Sequence, residues 1–237
     1  MVYTDTHRLF VQSAISRCFF SEVEGIEIYR KVCEITKDNR QESFQNFITT
    51  VNQKLNTIDL EFRKSSDEED GHIVWALVNT KGDEVAKLAT EYTASEISYL
   101  KHLIELIVTA DDETYSVSSI IALKESSKLK TQMTKVATEA LLQKFVNDKW
   151  LIQSREGKYS LSQRTILELQ SYLKEEFDEN IFECVVCLEI VTKGQRCELQ
   201  DCKARLHNHC ADRYFSQNEK ICPICKINWS ESNRFGL

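Results

Sequence analysis

Proline is almost absent from this chain of 237 residues: the one proline is Pro223, close to the C-terminus. Upstream of it no ring forces a helix to stop, so helices, hairpins and short turns can run uninterrupted. No apolar run is long enough to span a bilayer. No apolar signal stands at the N-terminus, so the thiols are expected to stay reduced. Positive charge is short as well. Thirty Lys and Arg face 37 Asp and Glu, a formal net charge of -7, so the chain as a whole is not a polyanion binder and local charge must decide that question. Cysteine is scarce over most of the length. Only Cys18 and Cys33 lie outside residues 184–225, each on an apolar helical stripe where a small buried hydrophobe is expected. The length allows two or three domains.

The other seven cysteines are gathered at one end with a histidine. The run reads Cys184-x2-Cys187-x9-Cys197-x4-Cys202-x4-His207-x2-Cys210-x11-Cys222-x2-Cys225. Such a short segment cannot bury enough apolar surface to fold unaided, whereas tetrahedral thiolate and imidazole ligation supplies roughly 10–16 kcal/mol. Two Cys-x2-Cys pairs can each turn both sulfurs toward one ion. Eight ligands fill two closed sites and leave no position for a water, so two structural Zn2+ ions are expected rather than a hydrolytic one.

Two zinc architectures share this ligand order, and both interleave their pairs. The first and third pairs, Cys184, Cys187, His207 and Cys210, form site one; Cys197, Cys202, Cys222 and Cys225 form site two. One architecture is the PHD finger, a histone-tail reader that usually carries Trp two residues before the seventh ligand; here that residue is Lys220. The other is a RING variant. Pro223 directly after the seventh ligand, Lys226 directly after the eighth and Tyr214 four residues after Cys210 favour it. His209 is a rival imidazole. It adjoins Cys210, and adjacent residues rarely aim at one ion, so an exposed histidine is expected, with substitute ligand or outer-shell donor as the alternatives.

Upstream, the hydrophobic pattern repeats. Phe10, Ala14 and Cys18 recur at i+4 with Val11, Ile15 and Phe19 beside them; Ile28, Tyr29, Val32 and Cys33 follow; Phe44, Phe47, Ile48, Val51 and Leu55 form a third helical stripe. The period then becomes two at Ile58, Leu60 and Phe62 and, after a polar turn from Lys64 to Gly71, at Ile73, Trp75 and Leu77. Three helices and a two-stranded hairpin are the winged-helix order. The second half has a capping-box pattern at Thr93 and Glu96, then Ile97, Leu100, Ile104 and Ile107; a segment with Val117, Ile120, Ile121 and Leu123; a helix with Met133, Ala137, Leu141 and Phe145; and Trp150–Ile152 and Tyr159–Leu161 around a Glu156-Gly157 turn. A last helix carries Ile166, Leu169 and Leu173, and an acidic, polar stretch leads into the cysteines.

The expected fold class is therefore α+β: two tandem winged-helix domains, 1–90 and 91–176, a hinge at 177–183 and a cross-brace RING-variant zinc domain at 184–237. Winged helices bind either proteins or DNA. The tip Asp67-Glu68-Glu69-Asp70 of the first hairpin would repel phosphate, whereas residues 124–158 carry eight Lys or Arg against four Asp or Glu, which allows a weak DNA contact there. The same surplus also suits a merely solvated helical face.

Over its full length the chain resembles the non-SMC element one subunits of the structural-maintenance-of-chromosomes five–six complex. The motifs that carry the resemblance are Gly194-Gln195-Arg196-Cys197, Leu206-His207-Asn208-His209-Cys210, Tyr214-Phe215, Cys222-Pro223-Ile224-Cys225 and Trp229. The resemblance implies a nuclear protein of chromosome maintenance and DNA repair, bound to a MAGE-family subunit and a kleisin subunit. It also implies RING-type ubiquitin ligase activity, weak without the MAGE partner. By the same resemblance Val186, Tyr214, Pro223 and Lys226 would face a ubiquitin-conjugating enzyme and its ubiquitin. Local packing around the zinc sites is the rival role for Val186 and Pro223, and a half-buried core aromatic is the rival role for Tyr214.

Overall fold

The structure is a computed structural model that describes residues 3–17, 19–39, 42–80, 92–128 and 133–236. It divides into two compact units, Met1–Asp67 with Gly71–Glu84, and Glu68–Asp70 with Val85–Leu237. The expected boundary at residues 90 and 91 and the role given to Cys18 lie outside the described residues. Among the described residues no helix is long and apolar enough to cross a membrane.

The first unit holds helices α1 (Asp5–Ile15), α2 (Glu22–Thr36) and α3 (Phe44–Leu55) and strands β1 (Phe19–Ser21), β2 (Leu60–Ser66) and β3 (Ile73–Asn79). Its helices start where side chains satisfy the first free amides. Ser21 and Glu24 form a reciprocal capping box, and the Ser43 hydroxyl accepts from the Asn46 amide. The α3 stripe Phe44, Phe47, Ile48, Val51 and Leu55 is buried throughout. Around it the core is aromatic: Phe10 meets Phe20, Phe44, Phe47 and Phe62 edge-on, at centroid distances from 5.2 to 6.5 Å.

Several expectations fail in this unit: Ile15 is 45% exposed, and Cys33 is half-buried rather than buried. Phe19 is not on the first helix but on β1, where it opposes Ala76 and turns the hairpin into a three-stranded sheet of order β1-β3-β2. A strand of three residues is too short to show a period, and Ser21 ends it by capping α2. Ile58 is 62% exposed and sits in a 3-10 turn, so β2 begins at Leu60. The polar turn is also shorter than expected, because Lys64, Ser65 and Ser66 pair with Trp75, Val74 and Ile73.

The second unit repeats the element order: α4 (Ala94–Val108), β4 (Val117–Ser118), α5 (Ser119–Glu125), α6 (Lys135–Asn147), β5 (Leu151–Gln153) and β6 (Lys158–Leu161), with the sheet order β4-β6-β5. Thr93 and Glu96 form the capping box of α4. Gly157, at φ +74°, makes the turn between β5 and β6. In the segment expected around Val117, that residue lies on β4 while Ile120 and Ile121 point to solvent; Ala137 is exposed, and the buried stripe of α6 is Thr138, Leu141, Leu142 and Phe145. The last helix is broken at Leu169 into α7 (Gln163–Glu168) and α8 (Gln170–Glu176). Arg164, which is buried, lies 4.2 Å over the Trp150 ring and pairs with Glu168 at 2.7 Å.

Residues 177–183 do not form a free hinge. The Tyr115 hydroxyl donates to the Asn180 carbonyl at 2.5 Å, Ile181 is buried, and Phe182–Glu183 form β7, paired with β8 (Ile190–Val191). Strands β9 (Gly194–Arg196), β10 (Arg205–Leu206) and β11 (Arg234–Phe235) make a sheet of order β10-β9-β11, and α9 (Asn208–Phe215) follows β10. β9 and β10 pass so closely that a Cβ at Gly194 would stand 2.0 Å from the Leu206 carbonyl oxygen. One continuous apolar cluster runs from Tyr92 to Phe235.

Candidate metal centres

Both Cys-x2-Cys segments fold into the same turn. The Leu188 amide donates to the Cys184 carbonyl at 2.8 Å and the Lys226 amide to the Cys222 carbonyl at 3.1 Å. The residue after each second cysteine is left-handed, Leu188 at φ +63° and Lys226 at φ +65°. The Cys184 and Cys222 amides donate onward to the Glu189 and Ile227 carbonyls. Each turn presents two sulfurs on one side.

The structure gathers Cys184, Cys187, His207 and Cys210 into one cluster and Cys197, Cys202, Cys222 and Cys225 into another, the donor atoms of each lying within 4.8 Å of one another. In the first, His207 Nδ1 is 3.4 Å from the Cys187 sulfur and 3.9 Å from that of Cys210. In the second, the sulfur pairs Cys197–Cys225 and Cys202–Cys222 are 3.5 and 3.8 Å apart. Tetrahedral ligation with metal–sulfur bonds of about 2.3 Å requires sulfur–sulfur edges of about 3.8 Å, so the donors already stand at ligation distance.

Ring orientation and charge agree with that fit. His207 is buried, and its Nε2 faces the Ile190 carbonyl oxygen at 3.1 Å. A proton on Nε2 leaves the Nδ1 lone pair for a metal. Burial alone would push the His207 pKa down, but hydrogen bonds to Cys184, Cys187 and Glu68 outweigh it and raise the pKa to about 12. Hydrogen bonds from Cys187 and Cys210 push the Cys184 thiol down, while hydrogen bonding to Cys184 and Cys187 pushes Cys210 up. In site two desolvation raises Cys197 to about 12, and the Ile227 amide lowers Cys225 to about 7. Four neighbouring thiol or imidazole groups cannot all ionise together unaided. A divalent cation supplies the missing charge and deprotonates the thiols outright.

Carboxylates from distant segments brace both clusters. Glu68 accepts from the Thr192 amide and hydroxyl, each at 2.6 Å, and stands 3.4 Å from His207 Nε2. Near site two, Arg205 donates to the Cys202 and Ala204 carbonyls at 2.8 and 3.0 Å and forms a two-pronged pair with Glu113 at 2.7 and 2.5 Å. Arg196 pairs with Asp112 at 2.6 Å. Asp112, Glu113 and Tyr115 all have left-handed φ, at +55, +54 and +44°, a conformation costly for residues with a Cβ. Sequence reasoning missed Glu68, Glu113 and Arg205 as supporting groups, since no local pattern marks a contact between segments so far apart in the chain.

Of the residues expected to face a conjugating enzyme, Val186 is half-buried and packs against the core, and Tyr214 is half-buried edge-on to Phe215 at 5.1 Å. Pro223 is half-buried, and its carbonyl accepts from Nζ of the exposed Lys226 at 2.9 Å. At the two turns, Leu188, 68% exposed, and Ile224, 52% exposed, were not among the residues expected to make contact. Ile224 holds the position in the second Cys-x2-Cys turn that Val186 holds in the first, and that equivalence could have found it. His209 is not an exposed histidine. It is half-buried and stacked on His207 at 5.2 Å, outside both clusters.

The interleaved clusters, the paired turns and the small sheet define a RING-like metal-binding domain, and residues 184–225 match the description "RING-like domain". Residues 7–169 match "Nse1 non-SMC component of SMC5-6 complex". The chain belongs to this Nse1 family. It is 33% identical to the Bos taurus "Non-structural maintenance of chromosomes element 1 homolog", over 96% of this chain and 85% of that protein. It is 28% identical to "Non-structural maintenance of chromosomes element 1" of Schizosaccharomyces pombe, over 98% and 95% of the two chains. Among solved structures, a chain of an "Nse1-Nse3-Nse4 complex" superposes with a TM-score of 0.85 at 30% identity, covering 97% of this chain and 98% of that one.

Proposed function

We propose that the protein is a RING-type ubiquitin ligase subunit of a nuclear, chromosome-bound SMC5-6 complex acting in DNA repair, with two Zn2+ ions folding its C-terminal domain. The observation that carries this reading is the pair of equivalent turns, each closed by two metal-ligand sulfurs and each carrying an apolar residue at the same position, the half-buried Val186 and the exposed Ile224. Cys184, Cys187, His207 and Cys210 hold one ion, and Cys197, Cys202, Cys222 and Cys225 the other. Four protein ligands at each site leave no room for a reacting water, so the ions shape a surface and take no part in bond making.

A RING ligase forms no covalent intermediate with ubiquitin. It accelerates transfer by holding a ubiquitin-charged conjugating enzyme in a reactive geometry. Val186, Tyr214 and Pro223 supply apolar contact, and Lys226 supplies a cation that binds as a point charge rather than a two-pronged fork. The regions 1–90 and 91–176 are tandem winged-helix domains that bind a MAGE-family subunit and a kleisin subunit. Residues 124–158 add a weak DNA contact. The solved Nse1-Nse3-Nse4 assembly supports the two protein partners.

A non-catalytic scaffold is the second reading. The apolar cluster that runs unbroken from Tyr92 into the metal-binding domain favours it, because a module packed in this way can serve as part of an assembly surface. Discharge of ubiquitin from a charged conjugating enzyme, with and without the MAGE-family subunit, separates the two. Val186→Ala and Lys226→Ala are expected to slow discharge several-fold while zinc content and melting temperature hold. Unchanged discharge by both variants would leave the scaffold.

A further inference from the structure

The acidic tip Asp67–Asp70 is not uniformly a solvated charge run. Glu69 behaves as the sequence suggests: its side chain is 68% exposed and pairs with Lys193 at 2.6 Å. Glu68 does the opposite. Its side chain is only 9% exposed, and Glu68–Asp70 group with the unit that contains the metal clusters. A buried carboxylate is costly unless donors satisfy both oxygens. Here the Thr192 amide reaches Oε1 and the Thr192 hydroxyl reaches Oε2, both at 2.6 Å, and the Lys193 amide adds a third contact at 3.3 Å. Oε1 also stands 3.4 Å from Nε2 of His207, the nitrogen opposite the one turned toward the sulfurs.

We propose that Glu68 is a positioning residue of metal site one, a carboxylate behind His207 that orients the ring and strengthens its Nδ1 lone pair. This rests on the reading of that cluster as a metal site. The Ile190 carbonyl alone could hold the Nε2 proton at 3.1 Å. The carboxylate adds negative charge on the same side, which makes the imidazole a better donor to a cation on its far side. It also clamps the Thr192–Lys193 backbone, which directly follows Ile190 and Val191 in the chain. Glu68 therefore acts on the ring twice, by charge and by holding the strand that carries the other acceptor.

Glu68→Gln separates these two effects. The amide keeps one oxygen for the Thr192 amide, and the Thr192 hydroxyl can turn to accept from the new NH2, but the charge is gone. The experiment uses the full chain loaded with Co2+. Site one, with three sulfurs and one nitrogen, absorbs differently from the all-sulfur site two, so each band can be followed during competition with a chelator. Glu68→Gln is expected to lose the site-one ion about 10- to 100-fold faster than the native chain while the site-two ion leaves at its native rate. Glu69→Gln is expected to match the native protein in both bands. Native rates in both bands for Glu68→Gln would overturn the proposal, as would equal acceleration of both ions with a lowered melting temperature, which would mark a purely structural side chain. If Glu68→Gln does not fold, Thr192→Val, which removes one hydrogen bond to the carboxylate, must show a smaller loss confined to the site-one ion; no change there also overturns it. Failure of the native chain to bind any metal would instead remove the metal reading itself.

Discussion

The first unit and the metal-binding segment reach stability by opposite routes. The first unit buries Phe10, Phe20, Phe47, Phe62 and Trp75 almost completely, and its rings contact one another directly. Among the described residues from 184 onward, cysteines make up much of the buried set, and Ile190, Val191, Leu206, Trp229 and Phe235 are the few larger buried apolar side chains. Where apolar area suffices, burial at roughly 25 cal/mol per Å2 holds the fold. Where it does not, ligation and buried ion pairs replace it. The same chain should therefore respond to chelation and to core truncation in different places.

Metal removal should have the largest effect. Exhaustive chelation, or Cys197→Ser, withdraws ligation energy of roughly 10–16 kcal/mol per structural zinc and should abolish amide protection across residues 184–236. Protection in α1 to α3 should persist. Hydrogen exchange measured by mass spectrometry reads both regions at once, and retained protection in the tail would break the comparison.

Phe47→Ala is the reciprocal test. Phe47 is fully buried and lies 4.5 Å from Tyr29 and 5.2 Å from Phe10, so its loss should destabilise the first unit by about 3–5 kcal/mol. Denaturant unfolding should show the drop while the bound-metal count stays at the native value. Loss of metal in this variant would mean that the two regions are not energetically separate.

Glu113→Ala sharpens the picture within the second unit. It leaves the buried Arg205 guanidinium with two carbonyl acceptors and the Phe182 and Phe235 rings but no carboxylate, and releases a loop held in left-handed conformation. About 1.5–3 kcal/mol of stability should be lost. The melting transition of the second unit should fall, with no change in that of the first.

The smallest effect is a pH dependence. Hydrogen bonds from Lys128 and His102 hold the Glu125 carboxyl below its usual pKa. A depressed folded-state pKa stabilises the protein above the unfolded carboxylate pKa, and that contribution disappears as pH falls through the folded value. Glu125→Gln should therefore flatten the acid limb of the melting-temperature profile and leave the second unit slightly less stable at neutral pH. An unchanged acid limb would show that this cluster contributes nothing.

Much of the architecture was legible because it is periodic. The α3 stripe and the Thr93–Glu96 capping box are local patterns, and each lies where its pattern indicated. Strands β1 and β4 were not legible, since two or three residues cannot display alternation and their partners lie far along the chain. The breaks at Leu169 and Ile58 were hidden for a related reason: an apolar residue continues a pattern whether or not the backbone does.

Eight metal-ligating residues, seven cysteines and one histidine, at short, fixed spacings are a property of the sequence itself. Short loops between thiols and an imidazole leave few ways to satisfy tetrahedral geometry, so the donor set is written locally. Which side chains stand behind those donors was decided only by the tertiary structure. Glu68, Glu113 and Arg205 become supporting groups because folding buries them beside partners remote in sequence, and a buried charge must find its counterpart wherever the chain brings one.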